Sequence, residues 1–161
     1  MGNALSNFTT RVYNLTLSSF NGALDAADVM ADFEKLELQS YSSAHCRGTI
    51  NNVFVVDGDD LGQELNILIS DKPDTTPPVL GTEGAAVTIT DADATTILGV
   101  YNIPVANYTD LVSSQVAKPD VSAPIPFNVA RNYLYIGVQG ITGGATTTSG
   151  LTLRFTVTIE N

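Results

Sequence analysis

"LTLRFTVTIE", residues 151–160, decides the fold class. Leu151, Leu153, Phe155, Val157 and Ile159 alternate with Thr152, Arg154, Thr156 and Thr158. A period of two buries one face of a strand and leaves the other in water, which is the mark of an antiparallel sheet. The preceding "GITGGATTTSG" (140–150) reads as a loop of small polar residues.

Working back toward the N-terminus, the same signal recurs in short runs. "TINNVFVV" (49–56) and "ELNILIS" (64–70) read as apolar strands joined by the acidic turn "DGDDLGQ". "AAVTIT" (85–90), "TILGVYNI" (96–103), "LVSSQVA" (111–117), "IPFNVA" (125–130) and "YLYIGVQ" (133–139) follow, with turn residues between them. "DKPDTTPPVLGTEG" (71–84) is excluded as a strand, because its three prolines and two glycines remove donors and break the pleat. "LDAADVMADFEKLEL" (24–38) is the one helix candidate, with Ala26, Val29, Met30, Phe33 and Leu36 at helical spacing. The expectation is a short helix or turn at 25–31 and a strand near 33–41. Eight or nine short strands separated by Gly/Pro turns predict an all-β protein, a β-sandwich or jelly-roll-like domain of antiparallel strands. Residues 1–22 are polar with scattered apolar side chains and are expected to form an extended N-terminal arm, whose part at 11–20 reads as strand-forming. Residues 23–161 are then the sandwich domain.

Composition bounds the function. The chain has 161 residues, 43% hydrophobic and 15% charged, enough for one domain with its own core. Seventeen Asp and Glu against seven Lys and Arg give a formal charge of −10. Such a surface repels phosphate backbones and anionic headgroups, so neither nucleic acid nor membrane is expected as a partner. No apolar run approaches the ~20 residues of a membrane helix, and no signal peptide is apparent.

The catalytic inventory is thin. The single histidine, His45, is adjacent to the single cysteine, Cys46. Neighbours on a strand point to opposite faces, so they are poorly placed as a catalytic pair, and zinc needs more such ligands. There is no GxSxG elbow, no phosphate-cradling GxxxxGK[ST] and no HExxH; no enzyme activity and no cofactor are expected. "VDGDDLG" (56–62) is a weak calcium candidate through Asp57, Asp59 and Asp60, but the EF-hand series breaks at Leu61 and Asp-Gly equally suits a tight turn. "TDADATT" (90–96) is expected to be a capped turn, with Asp91 as the cap and Asp93 adding charge to the first turn.

The order of segments is informative. "TINNVFVVDGDDLGQELNILISDKP", "AAVTITDADATTILGVYNI" and "PIPFNVARNYLYIGVQGITGGATTTSGLTLRFTVTIE" resemble a family of tailed-bacteriophage virion proteins. The shared features are the strand with an acidic turn, the "DADA…LG" turn, the Tyr-containing strand, the Gly/Thr loop and the alternating last strand. They cover roughly the last two-thirds of the chain. The resemblance implies a capsid decoration (cement) protein on the outer capsid surface of the virion. Its partners would be the major capsid protein and further copies of itself, a trimer favoured and a dimer possible. Apolar residues in a polar arm need something to bury them, so Phe8, Val12 and Leu15 are the candidate capsid contacts. The alternative expectation is a receptor- or glycan-binding module of a phage tail or fibre, since jelly rolls also serve as lectins.

Overall fold

The computed structural model describes residues 8–17, 24–39, 45–73, 75–143 and 151–160. Their strands are β1 (Phe8–Thr16), β2 (Val29–Glu37), β3 (Cys46–Asp57), β4 (Leu65–Ser70), β5 (Ile97–Ile103), β6 (Thr109–Asp110), β7 (Gln115–Ala117), β8 (Ile125–Val129), β9 (Tyr133–Gly140) and β10 (Leu151–Glu160). One helical turn, α1 (Asp91–Ala94), precedes β5, and a short 3-10 helix (Val105–Asn107) follows it.

Two antiparallel sheets face each other. The first runs β1-β10-β3-β7-β6, with β8 also paired to β3, and the second runs β2-β9-β4-β5. The pairings nest: β1 with β10, β2 with β9, β3 with β8 and β4 with β5. A chain folded back on itself in that way, with successive strands handed from one sheet to the other, is a jelly roll. The all-β sandwich expected from the alternating segments is what the chain forms.

β10 shows why. Leu151, Leu153, Phe155, Val157 and Ile159 are all buried, while the residues between them are exposed or half-buried. Flanked by β1 and β3, its apolar face meets the inward residues of the second sheet, among them Ile67, Ile69, Ile136 and Val138. Each such aliphatic side chain removed from water contributes about 1.5–3 kcal/mol. Tyr101 on β5 crosses between the sheets, its hydroxyl donating to the carbonyls of Ile50 (3.2 Å) and Ala123 (2.9 Å). Burial pushes that phenol up to about 12.

Three local expectations are corrected. Of the short helix or turn expected at 25–31 the turn forms, at residues 26–27, and it leads into β2, which starts at Val29 and so ahead of the strand expected near 33–41. Ala27 has a φ of 68°, which ends any helical run, and the Asp28 carboxylate accepts the Asp25 amide at 2.9 Å. The helix-like spacing comes from register shifts between Val29 and Ala31 and between Ala31 and Glu34, since a bulge breaks the period of two. "AAVTIT" makes only an isolated bridge, Ala86 to Asp28. Val87 and Ile89 instead pack on a second small core of Val29, Phe33, Leu80 and Tyr135. "LVSSQVA" yields only β7, because Val112 turns with a φ of 81° and its amide binds the Asp110 carboxylate. With β6–β8 as separate pieces the described strands number ten.

Candidate functional site

Asp57, the first residue of the calcium candidate, ends β3 and is buried. Its carboxylate accepts the backbone amides of Asp59 (3.0 Å), Leu61 (3.0 Å) and Gly62 (2.9 Å). Three amide dipoles thus already meet the charge, which is the electrostatics of a stapled turn. Asp60 sits at a φ of 61°, and its carbonyl accepts the Gln115 side-chain amide at 3.3 Å, tying the turn to β7. Burial, with the Asp57 charge second, raises the pKa of the nearby Tyr108 phenol. Among the described residues no group of three or more His, Cys, Asp or Glu is placed to hold a metal ion.

"TDADATT" is the one turn of α1, but Thr90 is its cap. The Thr90 hydroxyl accepts the Asp93 amide at 3.1 Å, and Asp91 is the first helical residue. Asp93 is buried and pairs with Lys72 at 2.8 Å. The hydrogen-bonded Lys72 ammonium, helped by the Val79 amide at 3.2 Å, holds its carboxyl below the usual range. A one-turn helix thereby ties together Lys72 and Val79 of the proline-rich segment just before β5. His45 is exposed and Cys46 fully buried, opposite Val129 of β8.

The arm candidates occupy β1, which pairs along its whole length with β10; residues 1–7 and 18–22 lie outside the described residues. Alternation splits the three residues. Phe8 (63% exposed) and Val12 (55% exposed) stand on the outer face of the first sheet, whereas Leu15 packs against the core. Thr10 and Thr16 flank them, hydrogen-bonded to Thr158 (2.8 Å) and Thr152 (3.2 Å) of β10. The result is a Thr-rich face with two apolar side chains near its rim. Beside Phe8, a cleft of about 570 Å³ runs past Arg47, Leu98, Phe127 and Glu160, with Arg47 and Glu160 paired across 3.3 Å.

Two features were not read from the sequence. On the second sheet, the Tyr133 ring lies between Lys35 (4.6 Å) and Arg131 (4.5 Å) and meets Tyr135 edge-on at 5.4 Å. Arg131, Tyr133 and Tyr135 stand together in "RNYLY", but Lys35 comes from β2 and only the β2–β9 pairing brings it to the ring. On the opposite flank from β1, Val100, Val105, Leu111, Val112 and Val121 are exposed. Val100 sits on the outward face of β5, and the other four are apolar residues outside the longer strands, which carry no periodic signal.

The fold and surface define an all-β jelly-roll sandwich with an acidic exterior and an apolar rim. No family model matches the chain, and no curated protein matches it. A solved structure described as a picornavirus capsid, from a massively expanded equine rhinitis A virus particle, is similar at 14% identity and a TM-score of 0.30. The alignment covers 96% of this chain and 71% of that one. A likeness that loose assigns neither a family nor a function.

Proposed function

We propose that this protein is a virion structural protein, a decoration or cement protein that binds the outside of a capsid and stabilises the major capsid protein lattice. The observation that carries this reading is the exposure of Phe8 and Val12 on the outer face of a strand that is otherwise integral to the sheet. Large apolar side chains held rigidly at a rim suit burial against a partner. The segment order shared with tailed-phage virion proteins supplies the class of partner, and the −10 charge suits the exterior of a DNA-filled head. Jelly rolls host both capsid and lectin functions, so fold alone does not choose between them.

Binding assembled heads but not free capsid subunits would stabilise the particle by mass action. The test is co-sedimentation of the purified chain with undecorated heads and with unassembled subunits. The expected result is saturable occupancy on heads, lost in a Phe8→Ser/Val12→Ser double variant that keeps the wild-type melt. Unchanged occupancy of the double variant removes the contact assignment. Binding to a glycan array or to tails with none to heads overturns the decoration role in favour of a receptor-binding module.

A further inference from the structure

Among the described residues, the outer edge of β1 is an open hydrogen-bonding ladder. The Leu17 amide donates to the Leu151 carbonyl at 2.9 Å, and the β1–β10 register is unbroken from Phe8–Glu160 to Thr16–Thr152. In an antiparallel pair, hydrogen-bonded positions alternate. Odd-numbered residues of β1 therefore direct their N–H and C=O at β10. The N–H and C=O of Phe8, Thr10, Val12, Asn14 and Thr16 point away, and no strand among the described residues pairs with that side.

Sheet edges are normally blunted by bulges, prolines, inward charges or a covering segment. Most of the other edges among the described residues are. β2 is bulged twice and bonded by the segment at 79–86. β8, paired only to β3, carries Pro126, and β5, whose outer side pairs with no described strand, has seven residues against the nine of β1. β6 is two residues long. β1 has nine residues with no proline and no carboxylate, and Arg11 is its one charge.

We propose that β1 pairs antiparallel with β1 of a second copy, continuing the first sheet across a two-fold axis at Val12. Parity and length choose that register. Val12 is the midpoint of Phe8–Thr16 and has an outward-facing ladder position, so all nine residues find partners. Val12 faces Val12, Thr10 faces Asn14 and Phe8 faces Thr16 of the other copy, with Arg11 opposite Tyr13. No like charges are directly opposed.

The self-complementary register about Val12 selects a second copy as the occupant, and charge selects where it approaches. Two chains of −10 repel, and they approach best through a strip free of carboxylates, which β1 provides. An isologous contact then closes the assembly as a dimer. Its outer face would carry Phe8 and Val12 from both copies around one axis. The inference does not rest on the virion reading, because it concerns the isolated protein in solution.

Analytical ultracentrifugation of the full chain over a dilution series, with hydrogen exchange on the same samples, tests it. The expected result is a reversible dimer. The amides of Thr10, Val12 and Asn14 should gain protection with concentration, while those of Tyr13 and Leu15 are protected throughout. Val12→Lys and Val12→Asp should each weaken the dimer about tenfold or more, and a one-to-one mixture of the two should restore it. Val12 is 55% exposed, so both variants should fold, which circular dichroism checks. A wild-type monomer at every concentration overturns the proposal. So does a dimer whose even-numbered amides exchange freely, or a mixture that stays as weak as its components.

Discussion

β1 and β2 are nine residues each and lie on the same flank of the sandwich, one at the edge of each sheet. Their outer sides have been treated in opposite ways. β2 has two register shifts, contains Asp32, Glu34 and Glu37, and is covered by the chain from Val79 to Ala86. The cover is bonded at several points. The Val29 amide donates to the Ala85 carbonyl at 2.9 Å, the Gly84 amide to the Val29 carbonyl at 2.8 Å, and the Leu80 amide to the Asp32 carboxylate at 2.7 Å. β1 has an unbroken register, a single charge and no cover among the described residues. An edge left open beside one so fully closed is what a contact surface requires, since an unprotected nine-residue ladder invites pairing. If the difference is functional, damage to the cover of β2 should cost stability, and changes on the outer face of β1 should cost almost none.

The largest effect is expected at Leu80. It is fully buried against Val29, Phe33 and Tyr135 and plugs the cover onto the second sheet. Leu80→Ala should destabilise by about 2–5 kcal/mol through lost transfer energy and a residual cavity. Urea unfolding measures the loss, and because the β2 edge is then loosely covered, the variant should also aggregate at lower denaturant than wild type. A loss well under 1 kcal/mol would mean the cover is not packed as described.

Next comes the link that holds the start of the cover. Lys72 and Asp93 are 19% and 12% exposed in their side chains, and Asp93 also accepts the Val79 amide. Lys72→Met leaves that carboxylate without its cation and should cost about 2–3 kcal/mol at neutral pH. The pH dependence has a definite sign. The folded pKa of Asp93 lies below its ordinary value of 3.8, so the unfolded chain binds the proton more readily. Its contribution is therefore fully present above about pH 4 and is lost as the pH falls through the folded value. Wild type and Lys72→Met should converge in stability in acid, and parallel curves from pH 7 to 2 would exclude this linkage. Asp32→Ala should cost less, about 1–2 kcal/mol, by leaving the Leu80 and Phe33 amides without their acceptor.

How far each strand was legible follows from the same contrast. β10 could be read directly, because its alternation is uninterrupted and one face is fully buried. β2 could not: Val29, Met30 and Ala31 are consecutively buried across a bulge, which imitates helical spacing in a one-dimensional pattern. The acidic turn at Asp57 was visible as a turn or a cation site, and only the three amides aimed at its carboxylate distinguish the two. Thr90 and Asp91 are both good caps, and which residue starts the helical turn depends on where the preceding segment leaves the sheet. The Lys72–Asp93 pair joins residues that only the fold brings together. The open edge at β1 did leave a trace, namely a β-forming run without proline, lysine or carboxylate. Recognising it as an edge required the sheet order.

The smallest stability effect belongs to the outer face of β1, and it is the sharpest test of the comparison. Phe8→Ser and Val12→Ser alter side chains that are 63% and 55% exposed, make no core contact and leave every bond to β10 in place. Surface changes of that kind are usually within about 0.5 kcal/mol. Leu15→Ser, on the same strand but facing inward against the core, should cost clearly more, because it buries an alcohol where a leucine packed. Thermal melts of the three variants at low protein concentration, where no association contributes, compare the two faces directly. Equal losses at Val12 and Leu15 would mean that the outer face already serves the fold of the single chain. A loss at Leu15 with none at Phe8 or Val12 leaves both apolar side chains without a role in the monomer, which is the condition for a partner to use them.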